Sequence, residues 1–176
     1  QPLIFQETET PGCKAGEVLV HLHASAFNRR DYWIQQGQYA GLKYPVIPGS
    51  DGSGVIVKTG EGVNSALEGT SVIINPGFLW GESESAQSPT RFRILGMPDN
   101  GTFAEYLSVP VEYTFERPSH LTHLQAAALP LAGVTAYRTL FSRANLTSGE
   151  KVLITGIGGG VALFTLQFAL AAGAEV

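Results

Sequence analysis

Apolar and polar residues alternate along the first ordered-looking stretch of the chain. In Glu17-Val18-Leu19-Val20-His21-Leu22-His23-Ala24, Val18, Val20, Leu22 and Ala24 fall on one face and polar groups mainly on the other. That period of two predicts a half-buried strand. Shorter runs at Gly54–Lys58, Ser71–Asn75 and Phe103–Val109 are set off by Gly, Pro, Asn and Asp, and read as further strands. Strands this short and this closely spaced predict a small barrel or sandwich between about Gly16 and Val111. Asn28–Gln36 reads as a short helix or turn, and Gly77–Asp99 as a long loop or lobe.

Near His120 the period changes. Leu124–Arg143 is rich in Ala and Leu and reads as helical, broken at Pro130 and Gly133. After the turn Asn145–Glu150 come a strand at Lys151–Thr155, a glycine run at Gly156–Gly160 and a helix at Val161–Ala172, stopped by Gly173. Strand, glycine turn, helix and incipient strand make one βαβ unit, the building block of parallel sheets. The helix is apolar on nearly all sides, so it is expected to be buried. Gln1 is not an initiator methionine, and Ala174-Glu175-Val176 reads as a strand that has only begun. The sequence is therefore expected to be the front part of a longer protein.

Composition narrows the functional classes. With 176 residues, 44% hydrophobic and 15% charged, the chain is globular in character. A net charge of −4 and the lack of a Lys/Arg block speak against nucleic acid. The longest apolar runs fall short of the roughly 20 residues of a membrane span. Cys13 is the sole cysteine; it excludes multi-cysteine zinc sites and intramolecular disulfides and suits a reducing, cytoplasmic setting.

The glycine run carries the strongest chemistry. Gly156-Ile157-Gly158-Gly159-Gly160-Val161-Ala162 follows a strand and opens a helix. In that position glycines let a pyrophosphate approach the backbone while the helix N-terminus faces the anion. The spacing is G-x-x-G-x-x-A rather than the strict dinucleotide fingerprint. His21 and His23 share a strand face and could ligate a metal with a third partner, but read as solvated positions on an edge strand. His120 and His123 read as residues of a helix start, Cys13 as a turn residue, and Trp80–Glu84 as a solvated acidic loop.

Taken together these segments resemble the medium-chain dehydrogenase/reductase family. The blocks Gly16–Val20, Phe27-Asn28-Arg29-Arg30-Asp31, Pro48–Gly54, Gly101–Tyr106, Ala126–Tyr137 and Lys151–Gly156 occur in the family's order. The resemblance implies a GroES-like barrel domain over 1–122, followed by the first β-α-β of a doubly wound Rossmann domain over 123–176. Zinc-dependent members carry a catalytic Cys where this chain has Asn28, and a His-Glu pair where it has Ser50-Asp51. The Gly77–Asp99 lobe, which would hold a structural zinc, has no cysteine. The resemblance is thus to the zinc-free branch of quinone oxidoreductases and enone reductases. It implies NADP(H) in preference to NAD(H), no metal, a small carbonyl or quinone substrate, and a homodimer. It places Asn28, Asp31 and Tyr39 at the substrate and Thr135, Gly156, Gly158, Gly159, Gly160 and Val161 at the cofactor. The alternative is a non-catalytic nicotinamide-nucleotide-binding protein that keeps the fold.

Overall fold

The computed structural model describes residues 3–176. Strands β1 (Glu17–Ala26), β2 (Asp51–Thr59), β3 (Ser71–Ile74), β6 (Tyr106–Pro110) and β7 (Thr114–Glu116) form one antiparallel sheet in the order β6-β1-β2-β3-β7. The alternating residues of β1 behave as the pattern requires: Val18 and Val20 are fully buried and Leu22 nearly so. They pack with Ile56, Val72, Ile74, Leu107 and Val109 in a single core, and burying each such side chain contributes roughly 1.5–3 kcal/mol. Two register shifts interrupt the β1–β2 ladder, the second just after Leu22 faces Gly54. A Cβ on Gly54 would collide with the His21 carbonyl oxygen, so glycine permits this approach.

The sheet corrects one expectation. β1 has β2 on one side and β6 on the other, so His21 and His23 do not lie on an edge strand. The predicted strand Phe103–Val109 begins only at Tyr106. In the lobe after β3, β4 (Gly77–Phe78) pairs with β5 (Arg93–Ile94).

Helix α1 (Arg29–Gln35) follows β1, and buries Arg30, Asp31 and Ile34. The apolar stretch after His120 divides into α2 (His123–Ala127) and α3 (Pro130–Tyr137), continued by a π-helical turn over Arg138–Arg143. Pro130 sits at the first position of α3, where its missing N–H costs nothing; Gly133 lies within the helix and does not break it. Thr122 caps α2 in a reciprocal pair with Gln125.

Helix α4 (Gly160–Ala171) ends in a Schellman motif: Gly173 has φ +78°, its N–H reaches Leu170, and Ala174 N–H reaches Ala169. The expected strand at Lys151–Thr155 is a single parallel bridge, Lys151 to Glu175. A parallel ladder needs a neighbour of comparable length, and only Glu175 is adjacent. The expected burial of α4 is partial: Thr165 and Ala169 are covered, while Val161, Leu163 and Leu170 are exposed. No helix among the described residues is long and apolar enough to cross a membrane.

Candidate active site

β1 delivers the chain to Asn28, the residue that begins α1. Its own N–H donates to Asp31 Oδ2 at 2.8 Å, one half of a capping box, while its side chain turns elsewhere: Nδ2 donates to Asp51 Oδ2, also at 2.8 Å. Because a carboxylate oxygen only accepts, this contact fixes which end of the amide faces Asp51. Asp51 opens β2 and is 1% exposed. Its other oxygen, Oδ1, accepts the Leu131 N–H from the first turn of α3 at 2.8 Å. One carboxylate thus ties β2 to α1 and to α3. Burial raises its pKa from an ordinary 3.8 to about 6, with the Asp31 charge adding to the rise; the Asn28 and Leu131 bonds and the Arg30 charge oppose it.

Arg30 fills the position beside that pair. Its guanidinium donates to Ser50 Oγ (2.5 Å) and the Leu95 carbonyl (2.7 Å), and stands 5.1 Å from the Tyr39 ring centre. Ser50 Oγ in turn donates to the Leu95 carbonyl. Asp31 is also buried, and its pKa is raised by desolvation, against the influence of the Asn28 N–H, the Arg30 charge and the Gly49 N–H. Gly49 lies near enough to favour the ionised form, yet Asp31 Oδ1 has no hydrogen-bond partner.

A cleft of about 1020 Å³ opens beside this network. Asn28 and Asp51 line it from the sheet side, Thr135 from α3, and Gly156, Gly159, Gly160 and Val161 from the glycine turn. The Thr135 hydroxyl donates back to the Leu131 carbonyl at 2.7 Å, which leaves its lone pairs for a donor in the cleft. Gly156 adopts φ +69°, a left-handed conformation that favours glycine. A Cβ on Gly158 would meet nothing within 4 Å, one on Gly159 only the Gly156 carbonyl, and one on Gly160 only Ala132. This open approach to the N-terminus of the 12-residue helix α4 suits a phosphate: the first-turn N–H groups have no helical partner and carry the positive end of the helix dipole.

The structure brings together most of the residues proposed from the sequence, but not all. Asn28, Thr135, Gly156, Gly159, Gly160 and Val161 share the cleft; Gly158 is in the same turn but does not line it. Tyr39 sits behind the site, under Arg30, with its hydroxyl 3.4 Å from Nε. Asp31 borders a smaller neighbouring pocket. Asp51 and Arg30 were not singled out as site residues. The spacing Arg30–Ile34 puts Arg30 on the same helix face as an apolar residue, a signal for a buried arginine, and Asp51 amid the glycines of Pro48–Gly54 is the signal for a buried carboxylate.

The histidines form a separate row. His21 stacks on Tyr106 (4.9 Å), His21 meets His23 edge-on (5.1 Å), and His23 lies 4.6 Å from the His123 ring. Ser53 Oγ donates to the Val72 carbonyl, so it accepts from His123 Nδ1–H. Burial, then His23, then Arg117 hold the His123 pKa below 6.5. No group of three His, Cys, Asp or Glu among the described residues is placed to hold a metal.

The sequence model of the alcohol dehydrogenase GroES-like domain matches residues 14–119. The chain belongs to the medium-chain dehydrogenase/reductase family. Among similar proteins, a zinc-type alcohol dehydrogenase-like protein of Schizosaccharomyces pombe is 41% identical over 97% of this chain and 50% of its own length. The crotonyl-CoA carboxylase/reductase of Cereibacter sphaeroides is 34% identical over 99% of this chain and 44% of its own. A crystal structure of an NAD-dependent alcohol dehydrogenase superposes with a TM-score of 0.89 at 33% identity, covering 96% of this chain and 51% of that one. The chain therefore spans about half the length of the medium-chain dehydrogenases and reductases it matches.

The family's zinc and its nicotinamide fare differently against these residues. Asn28, which the family resemblance sets against a zinc-binding Cys, has its amide committed to Asp51. Ser50, which the same resemblance sets against a zinc-binding His, accepts from the Arg30 guanidinium through its Oγ. A fixed positive charge repels a divalent cation, and neutral amide and hydroxyl oxygens are weak zinc ligands beside thiolate and imidazole. The residues present do not fit the catalytic zinc. The open glycine turn and the α4 N-terminus do fit a nicotinamide dinucleotide.

Proposed function

We propose that the protein containing this chain is an NAD(P)H-dependent reductase that transfers a hydride to a quinone, an enone or a similar small carbonyl compound without zinc. The observation that carries this reading is the Asn28–Asp51–Leu131 junction at the edge of the cleft, with the Arg30 guanidinium beside it on Ser50 Oγ. The 34% identity to a protein named as a crotonyl-CoA carboxylase/reductase supports an activated C=C–C=O system as the substrate class. NADP(H) is favoured over NAD(H), and a cytoplasmic homodimer is part of the same reading. The boundary between the barrel domain and the start of the Rossmann domain is placed near residue 122.

The bound nicotinamide would supply the hydride. Gly156, Gly159 and Gly160 would admit its pyrophosphate, and Thr135 would accept a hydrogen bond from its carboxamide. The Asn28 amide has two N–H groups, and Asp51 takes one. The second serves as donor to the substrate carbonyl and stabilises the negative charge that develops on its oxygen. With that oxygen held, the β-carbon of an enone would be the site open to hydride, and the α-carbon would take its proton from water. Tyr39 acts through Arg30 rather than on the substrate.

The test is NADPH consumption by the full-length protein with a simple enone or quinone, before and after exhaustive chelation. Turnover that survives chelation is expected. Stoichiometric zinc whose removal abolishes activity would overturn the metal-free reading, and tight NADPH binding without turnover on a broad panel would favour the non-catalytic alternative.

A further inference from the structure

A second pocket adjoins the cleft. It has a volume of about 230 Å³, and its walls include Leu3, Phe27, Tyr32, Pro48 and Phe103. Asn28 and Phe27 line both cavities, so the two adjoin at the residue proposed to hold the carbonyl. Phe27 is 80% exposed, and its ring stands 4.8 Å from that of Phe103. Tyr32, also in the wall, is 54% exposed. Several aromatic surfaces left uncovered around one concavity mark a binding surface rather than scattered apolar residues.

Polar groups are the minority of the wall: Gln35, Asn28 and Asp31 stand among five apolar or aromatic residues. Asp31 Oδ2 is taken by the Asn28 N–H, and its Oδ1 is buried. Resting on the function proposed above, we infer that this pocket receives an apolar tail of the substrate while the carbonyl sits at Asn28. The substrate class is then an enone with an alkyl or aryl extension. A cavity of ~150 Å³ accommodates benzene, so the pocket suits a tail of roughly six to eight carbons. Phe27 separates head from tail and forms a wall to each.

The decisive measurement uses alkyl vinyl ketones from methyl to octyl with the full-length protein and saturating NADPH. kcat/KM is expected to rise about two- to fourfold per methylene, mainly through KM, and to level off near the hexyl compound. Tyr32→Ala, at an exposed position, should flatten that slope and lower the hexyl-to-methyl ratio at least tenfold; Phe103→Ala should do the same from the opposite wall. Methyl vinyl ketone turnover with no dependence on tail length would overturn the inference and leave the hydride-transfer reading standing. If no vinyl ketone is reduced, the enone part of that reading falls. Calorimetry of the NADP-loaded protein with butanone and 2-octanone then decides the pocket alone. Tighter 2-octanone binding that is lost in Tyr32→Ala supports it, and equal binding overturns it.

Discussion

Asp51 is a carboxylate with almost no contact with water, and its two side-chain hydrogen bonds do not repay the desolvation of its charge. The sign of the consequence follows from linkage. A carboxyl whose folded pKa lies near 6 instead of 3.8 binds its proton more tightly when folded, so its contribution to stability is complete below about pH 3.8 and is lost as pH rises through 6. The span corresponds to about 3 kcal/mol. Asp51→Asn should therefore remove most of this decline, and urea denaturation at intervals from pH 4 to 8 would show the variant gaining on the native protein as pH rises. Parallel curves would mean that Asp51 is not the group responsible. Asp31 titrates in the same direction, and the comparison cancels most of its share. Catalysis should respond oppositely: protonated Asp51 gives up an acceptor, so Asn28 or α3 loses its anchor, and kcat/KM should fall as pH drops below about 6. Asn28→Ala, which deletes the donor itself, should lower kcat by about 10²-fold or more with little change in NADPH affinity, measured by steady-state kinetics beside a cofactor titration.

At the scale of the elements, local chemistry told more than pairing did. The alternation in β1, the Pro130 start of α3 and the Gly173 stop of α4 are each written in a few adjacent residues, and the structure has them where those residues require. The Asn28–Asp51 contact joins positions 23 apart, and the Leu131–Asp51 contact positions 80 apart; no periodicity encodes such meetings. Lys151–Thr155 reads as a strand because a strand's propensity is local, but its ladder depends on neighbours, and it has only Glu175. The glycine turn is intermediate: its sequence is legible, while the division of labour within it comes from the backbone. Gly156→Ala places a side chain at φ +69° and should cost about 1–2 kcal/mol. Gly160 is helical, and its Cβ would make only an ordinary contact with Ala132. Gly160→Ala should thus leave stability unchanged or raise it by up to about 1 kcal/mol, yet weaken NADPH binding by filling the phosphate approach. Thermal unfolding paired with calorimetric titration separates the two effects. Unchanged affinity in Gly160→Ala would remove the pyrophosphate from this turn.

Across the whole molecule, the lobe between β3 and β6 is fastened to the helical part by two arginines. The loop Trp80–Glu84 is solvated as expected, with Gly81–Glu84 exposed, and it also serves as a docking point. The Arg138 guanidinium lies 3.9 Å from the Trp80 ring centre and donates to the Glu84 carbonyl at 3.1 Å, while Arg143 donates to the Ser85 carbonyl at 2.7 Å. Both arginines belong to the π-helical turn, in which the Ala144 N–H reaches back five residues to Thr139. The wider turn brings residues five apart towards one side, and so lets both guanidinium groups meet the same loop. An exposed cation–π contact contributes about 0.5–1 kcal/mol, so the clasp is a local fastening and its loss should not unfold the chain. In a Trp33→Phe background, where Trp80 is the only indole, Arg138→Ala should shift the emission to longer wavelength and increase acrylamide quenching. Arg138→Lys keeps the charge but loses the planar fork, and should fall between the two. Proteolysis within Gly81–Ser88 should follow the same order, fastest in Arg138→Ala. Identical quenching in all three proteins would show that Trp80 is held by its own lobe, through the 5.2 Å edge contact with Phe92 and the indole N–H bond to Ser83, and that the arginines only rest on it.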